Sequence, residues 1–150
     1  MVRFLLDVML GNLAVYLRLC GYDTVYALDR DAEADDRLLA LAAEEGRTVV
    51  TRDEHLAARA DDAILLRTRG TEPQLRELVE AGVELDPTDD PVQCGRCNGR
   101  LDRVDGGSTT PEYAPDDDTP VWRCRECGQY FWKGSHWDRM VATLAEVRDA

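Results

Sequence analysis

Apolar positions along residues 1–86 fall into two alternating rhythms: short unbroken runs, and longer stretches in which they recur every three or four residues. "VRFLL" (2–6) suits a strand buried on both faces, whereas Leu13, Tyr16, Leu17 and Cys20 share one face of a helix that Gly21 stops. "DTVYAL" (23–28), β-branched and aromatic, predicts a second strand. The acidic "DRDAEADD" (29–36) leads into a helix carrying Leu38, Leu39, Leu41 and Ala42 and closed by Gly46. "RTVVT" (47–51) predicts a third strand, followed by a short helix over 54–60, and "AILLRT" (63–68) a fourth. Thr71 is a candidate N-cap for a helix bearing Leu75, Leu78 and Val79, which Gly82 ends before "VEL" (83–85), a candidate fifth strand. Strands alternating with helices imply an α/β domain, a mostly parallel sheet in three layers.

The rhythm breaks at "DPTDDPVQ" (86–93), where two prolines and three aspartates read as a linker. The expected division is therefore 1–88 and 89–150. Beyond it stand two C-x-x-C pairs, Cys94/Cys97 and Cys124/Cys127, separated by the Gly, Pro and Asp-rich "DGGSTTPEYAPDDDTP" (105–120), which reads as a mobile loop. Each pair presents two thiolates from a tight turn, and four complete a closed tetrahedral Zn²⁺ site, so a small zinc ribbon is expected with the metal structural. The 26 residues between the pairs exceed the common spacing, and the insertion accounts for the excess. Cys20, on an apolar stripe, reads as a small buried hydrophobe. The chain closes with a helix over 135–148 in which Ser135 and Asp138 have capping-box spacing and Met140, Val141, Leu144 and Val147 mark one face.

Composition changes how charge is read. The net charge of -12 argues against nucleic acid as a partner, yet 17 of the 18 basic residues are Arg and Asp outnumbers Glu by 19 to 11, a bias that resembles halophilic proteins. In molar salt the Debye length is ~3 Å, so only local clusters matter. There is no apolar stretch near the ~20 residues of a membrane span and no signal-peptide pattern, so a cytoplasmic protein is expected.

Two acids fall where a parallel sheet binds ligands, beyond the carboxyl ends of its strands: Asp7 after the first and Asp53 after the third. Asp35 or Asp36, opening the second helix, can approach the same spot. Such a cluster suits Mg²⁺ or Mn²⁺, while helix capping is the simpler role for each acid taken alone. Phosphate-binding glycine loops are absent, residue 9 is Met where a D-x-D phosphotransferase needs Asp, and neither His55 nor His136 has a Ser or Cys companion in a recognisable catalytic arrangement. Tyr130, Phe131, Trp132 and Trp137 around Lys133 suit either docking of the ribbon or stacking of nucleotide bases.

"LLDVMLGNLAVYLRLCGYDT" (5–24), "EEGRTVVTRDEHL" (44–56), and "CGRC" and "CREC" followed by "YFWKGSHWDRM" (130–140) together resemble the Mut7-C RNase family. The resemblance implies a PIN-like nuclease domain with a C-terminal zinc ribbon, acting as a metal-dependent ribonuclease on RNA. It carries Asp7, Asp35 and Asp53 over as the catalytic, metal-binding acids, with Asp36 the alternative to Asp35 and Asp61 or Asp62 the nearest candidates for a fourth. Asn12 stands where the family commonly has a basic residue, and Arg18 and Arg52 keep guanidinium groups nearby. The alternative is a non-catalytic RNA- or protein-binding adaptor that retains the fold.

Overall fold

The computed structural model describes residues 2–104 and 119–149; the core of the expected loop, 105–118, lies outside them. The first sheet has four parallel strands, β1 (Phe4–Leu6), β2 (Thr24–Tyr26), β3 (Thr48–Thr51) and β4 (Ala63–Leu65), in the order β2-β1-β3-β4. Leu5 lies opposite both Val25 and Val49, and Leu6 opposite Tyr26 and Val50. Alternating side chains then divide between two faces. Leu5, Val25 and Val49 pack with Leu38 and Ala42 of α2 (Asp35–Glu45) and Leu56 of α3 (Glu54–Arg59). Phe4, Leu6 and Val50 pack with Leu13 and Leu17 of α1 (Gly11–Leu19) and Leu75 and Leu78 of α4 (Thr71–Glu80). The result is the expected three-layer α/β/α arrangement, with β1 buried on both sides as its unbroken apolar run requires.

Three local expectations give way. Residues 83–85 form no strand: the N–H of Val83 donates to Leu78 O, closing the end of α4, and the Tyr22 hydroxyl donates to Glu84 O, so this backbone is satisfied without β4. Thr71 is the first residue of α4 and not its cap. Gly70 takes that place at φ 92, a left-handed conformation that a side chain resists. Ser135 likewise opens α5 (Ser135–Asp149); the N–H of Asp138 donates to Gly134 O, and no reciprocal cap forms among the described residues.

The second sheet is antiparallel, β5 (Leu101–Arg103), β6 (Trp122–Cys124) and β7 (Tyr130–Phe131), around a small core of Cys94, Leu101, Trp122 and Cys124. From it α5 returns across the linker to pack on α4, and its Leu144 and Val147 join the core of the first sheet. Arg148 reinforces this by donating to Leu85 O and pairing with Asp86.

The ribbon is also stitched to the free edge of β2. Asn98, just past the first cysteine pair, accepts from the N–H of Thr24 at 2.9 Å and donates to Asp23 at 2.7 Å. Arg18, 3% exposed, donates to Thr24 O and to Gly95 O, spanning both units. These bonds occupy an edge that would otherwise be open to pairing.

Candidate functional site

The strand order brings the two sequence-flagged acids to one place. The chain steps from β1 to β2 on one side and then to β3 on the other, so β1/β3 is the point where strand order reverses, the usual ligand crevice of such sheets. Asp7 continues β1 there, its N–H donating to Val50 O, and the residue is 6% exposed. Oδ1 accepts from the N–H of Val8 at 2.8 Å, capping a 3-10 turn (Val8–Leu10) that precedes α1, and Oδ2 accepts from the Thr51 hydroxyl at 2.7 Å. The same hydroxyl accepts from the N–H of Asp53 at 3.0 Å. Thr51, fully buried, is thus a one-residue link between the acids.

Asp53 caps α3: its Oδ1 accepts from the N–H groups of His55 and Leu56. Oδ2 takes no hydrogen bond among the described residues and stays available. Helix capping is therefore real for both acids: with Thr51 it engages both oxygens of Asp7, and it engages one oxygen of Asp53. Of the doubled aspartates at the start of α2, Asp36 pairs with Arg59 at 2.6 Å, whereas Asp35 has no hydrogen bond or ion pair among the described residues. Asp61 and Asp62 lie at the opposite edge. They precede β4, and Asp62 accepts from the hydroxyl of Thr48, the first residue of β3.

Several basic and aromatic candidates also move. Arg18 is buried under the ribbon, far along α1 from Asp7; burial lowers its pKa, opposed by the charges of Asp29, Cys94, Cys97 and Asp23. Arg52 stays at the carboxyl edge. His55 contributes its backbone N–H to Asp53, and its side chain is exposed, as is that of His136. Tyr130, Phe131, Trp132 and Trp137 line a cleft of about 590 Å³ against Val15 and Leu19, toward the end of α1 remote from Asp7, and Lys133 lies over the Trp137 ring at 5.4 Å.

Two features of the acidic edge escaped the sequence reading. One is Thr51, a polar residue ending an apolar strand. The other is the pair Asp29 and Glu33. Burial pushes the Tyr26 hydroxyl pKa up and the charges of Asp29, Asp7 and Glu33 push it further, so these acids share a field with Asp7. The run "DRDAEADD" held the signal without saying which carboxylates turn back toward the sheet.

Among the described residues, the group of three or more His, Cys, Asp or Glu whose ligand atoms all lie within 4.8 Å of one another is Cys94, Cys97, Cys124 and Cys127. Sγ of Cys94 is 3.7 Å from that of Cys127, and Sγ of Cys97 is 3.5 Å from that of Cys124. A tetrahedral Zn²⁺ with Zn–S of ~2.3 Å separates its sulfurs by about 3.8 Å, so the four thiols fit zinc, and they are too far apart for disulfides. The residue after each pair, Asn98 (φ 72) and Gly128 (φ 77), turns left-handed and closes the knuckle. Gly99 leaves room for the metal ligand: a Cβ there would lie 2.7 Å from Cys124 Sγ. Burial pushes the Cys124 thiol up, but hydrogen bonds from the N–H groups of Cys127 and Glu126 and from the neighbouring thiols outweigh it and bring it down to about 7.

Asp7, Asp35 and Asp53 are not such a group: Asp7 and Asp53 meet through the Thr51 hydroxyl, whereas the three carboxylates do not all come within 4.8 Å of one another.

The family model for the Mut7-C RNAse domain matches residues 2–144, spanning both sheets and most of α5. The chain belongs to the Mut7-C RNAse domain family. No curated protein and no solved structure matched it in the two other comparisons. For a Mut7-C chain the family name points to RNA as the substrate and to nuclease chemistry, and the match includes the acidic edge and the four cysteines alike. No helix among the described residues is long and apolar enough to cross a membrane.

Proposed function

We propose that this Mut7-C protein is a metal-dependent ribonuclease that hydrolyses RNA phosphodiester bonds at the Asp7/Asp53 edge, with Asp35 as the third acid. One observation carries the reading: the Thr51 hydroxyl joins Asp7 to Asp53 at the switch point between β1 and β3. Mg²⁺ or Mn²⁺ held there would supply positive charge for the scissile phosphate and its leaving oxygen and lower the pKa of an attacking water. Asp7 is fixed by two donors and defines the position of the site. Asp53 presents one oxygen outward while α3 holds the other. Asp35, half-buried at the start of α2, would supply the third carboxylate from the β2 side.

The assignment of residues 1–88 to the nuclease unit and 89–150 to the ribbon belongs to this proposal, with α5 as the brace between them. The ribbon holds structural zinc, and a four-thiol centre favours a reducing cytoplasm. The Arg and Asp bias favours activity in concentrated salt.

The test is cleavage of labelled RNA in molar KCl with Mn²⁺ or Mg²⁺. Asp7→Asn and Asp53→Asn should each lose more than the ~10–100-fold typical of groups outside the metal's own ligands. Asp35→Asn should lose activity where Asp36→Asn, which only frees Arg59, does not. Cleavage that survives both Asp7→Asn and Asp53→Asn, or none with any metal and salt tried, would favour the adaptor reading, which has one observation on its side: the acids do not already form a closed ligand cluster.

A further inference from the structure

Eight of the 17 arginines in this acidic chain pair with carboxylates among the described residues, Arg67 and Arg148 among them. Arg3, Arg30, Arg47, Arg59, Arg76 and Arg125 all hold carboxylates. Arg52 and Arg69 do not. Neither makes a hydrogen bond or ion pair among the described residues, and Nε of Arg52 is buried without a partner. Both line the same cavity of about 200 Å³. Asn12, Thr71 and Gln74 supply its remaining polar side chains, and among the described residues no carboxylate lines it, in a chain with 30 of them. A buried donor without a partner implies a group that the protein itself does not provide.

The cavity has a definite place. Met9 to Leu13 follow β1, Arg52 stands between Thr51 and Asp53 after β3, and Arg69 to Thr71 follow β4, so it opens at the carboxyl edge beside the acids on the α1/α4 side. Its volume is below the ~300 Å³ at which pockets for drug-sized ligands begin, which suits a compact group. Two guanidinium groups with planar N–H forks favour a phosphate. The first amides of α4, whose cap Gly70 offers no side chain, add to the positive field.

We propose that the Arg52/Arg69 cavity binds a phosphate of the RNA strand adjacent to the one hydrolysed, fixing the strand's register over Asp7 and Asp53. This rests on the ribonuclease reading. It also explains how a chain of net charge -12 holds a polyanion: a carboxylate-free basic pocket, screened from the distant acids by salt, makes the local contact.

The test measures binding alone. Zinc-loaded full-length protein, without added Mg²⁺ or Mn²⁺, is titrated by fluorescence anisotropy with a short 3′-labelled oligoribonucleotide carrying either a 5′-phosphate or a 5′-hydroxyl, across a salt series. Arg52→Gln and Arg69→Gln should each weaken binding about tenfold. Each should also reduce the slope of log affinity against log salt by about 0.7, the value for one single-strand phosphate contact. Arg139→Gln, removing an exposed cation on α5, should change neither. A loss confined to the 5′-phosphorylated strand identifies a terminal phosphate, and a loss with both an internal one. Unchanged binding in both pocket variants, an equal loss in Arg139→Gln, or no measurable RNA binding by the wild type overturns the proposal. Cleavage is not read, so a wild type that binds through these arginines but never cleaves refutes the nuclease reading alone, whereas a cleaving enzyme with unaffected variants refutes the pocket alone.

Discussion

Replacing Thr51 with Val keeps the side chain's shape and deletes the one hydroxyl between the two acids. Thr51 is fully buried, so water does not replace the lost group. Asp7 Oδ2 loses a 2.7 Å bond to a charged acceptor, worth ~1.5–3 kcal/mol. The N–H of Asp53 loses its 3.0 Å acceptor, and because Asp53 is exposed this adds only ~0.5–1 kcal/mol. The expected cost is about 2–4 kcal/mol. Thr51→Ser keeps both bonds and loses one methyl, about 1 kcal/mol. Guanidinium denaturation followed by tryptophan fluorescence reads the difference. If Thr51 acts only on stability, the story ends there. As a positioning residue it must also shift the Mn²⁺ concentration for half-maximal cleavage upward in Thr51→Val, with Thr51→Ser restoring it. Val and Ser variants within ~0.5 kcal/mol of each other and sharing one Mn²⁺ midpoint would refute the linkage.

Other residues give independent tests. Asn98→Gly accommodates the left-handed backbone but removes the amide between ribbon and β2, leaving the fully buried Thr24 without its partner; a loss of ~2–4 kcal/mol is expected, and less than ~0.5 kcal/mol would mean the ribbon edge is not structurally coupled. Chelation of zinc, or Cys97→Ser, should unfold the ribbon and reduce the stability of the first sheet, seen as lower hydrogen-exchange protection of Thr24 and Val25; unchanged protection there would contradict the coupling. Asp23 supplies a pH test. Burial pushes its carboxyl up, but hydrogen bonds from Asn98 and Arg47, with the charges of Arg47 and Arg3, outweigh this and hold it below the ordinary 3.8. A depressed native pKa gives stability that is complete above the unfolded value and lost as pH falls through the lower native one. The melting temperature of the wild type should therefore fall more steeply below about pH 4 than that of Asp23→Asn, and parallel curves would count against the network.

What the sequence disclosed follows from what is local. Unbroken apolar runs and helical stripes located all four parallel strands and the helices because both faces of the sheet are covered, and four cysteines in two tight turns report a zinc site by spacing alone. Asp7 and Asp53 were legible as strand-end acids, but their meeting depends on β1 and β3 being neighbours, which no local pattern encodes. The same non-local pairing hid Thr51, whose role appears only once Asp7 lies opposite it. "VEL" looked like a strand because Val83 and Leu85 are apolar, yet their burial is achieved in irregular backbone already satisfied by α4 and Tyr22. Arg18 sits near Asp7 in sequence but about two helical turns along α1, which carries it under the ribbon instead. Asn98, inside a zinc knuckle, gave no sign of reaching β2.

The central claim is that the switch point between β1 and β3 holds a divalent ion, and Mn²⁺ binding followed by electron paramagnetic resonance addresses it without requiring turnover. Zinc-loaded wild-type protein titrated in molar KCl should bind Mn²⁺ at the acidic edge, with Asp7→Asn and Asp53→Asn each weakening that binding and Asp62→Asn, at the opposite edge, leaving it unchanged. Binding of equal strength in the wild type, Asp7→Asn and Asp53→Asn would contradict the account.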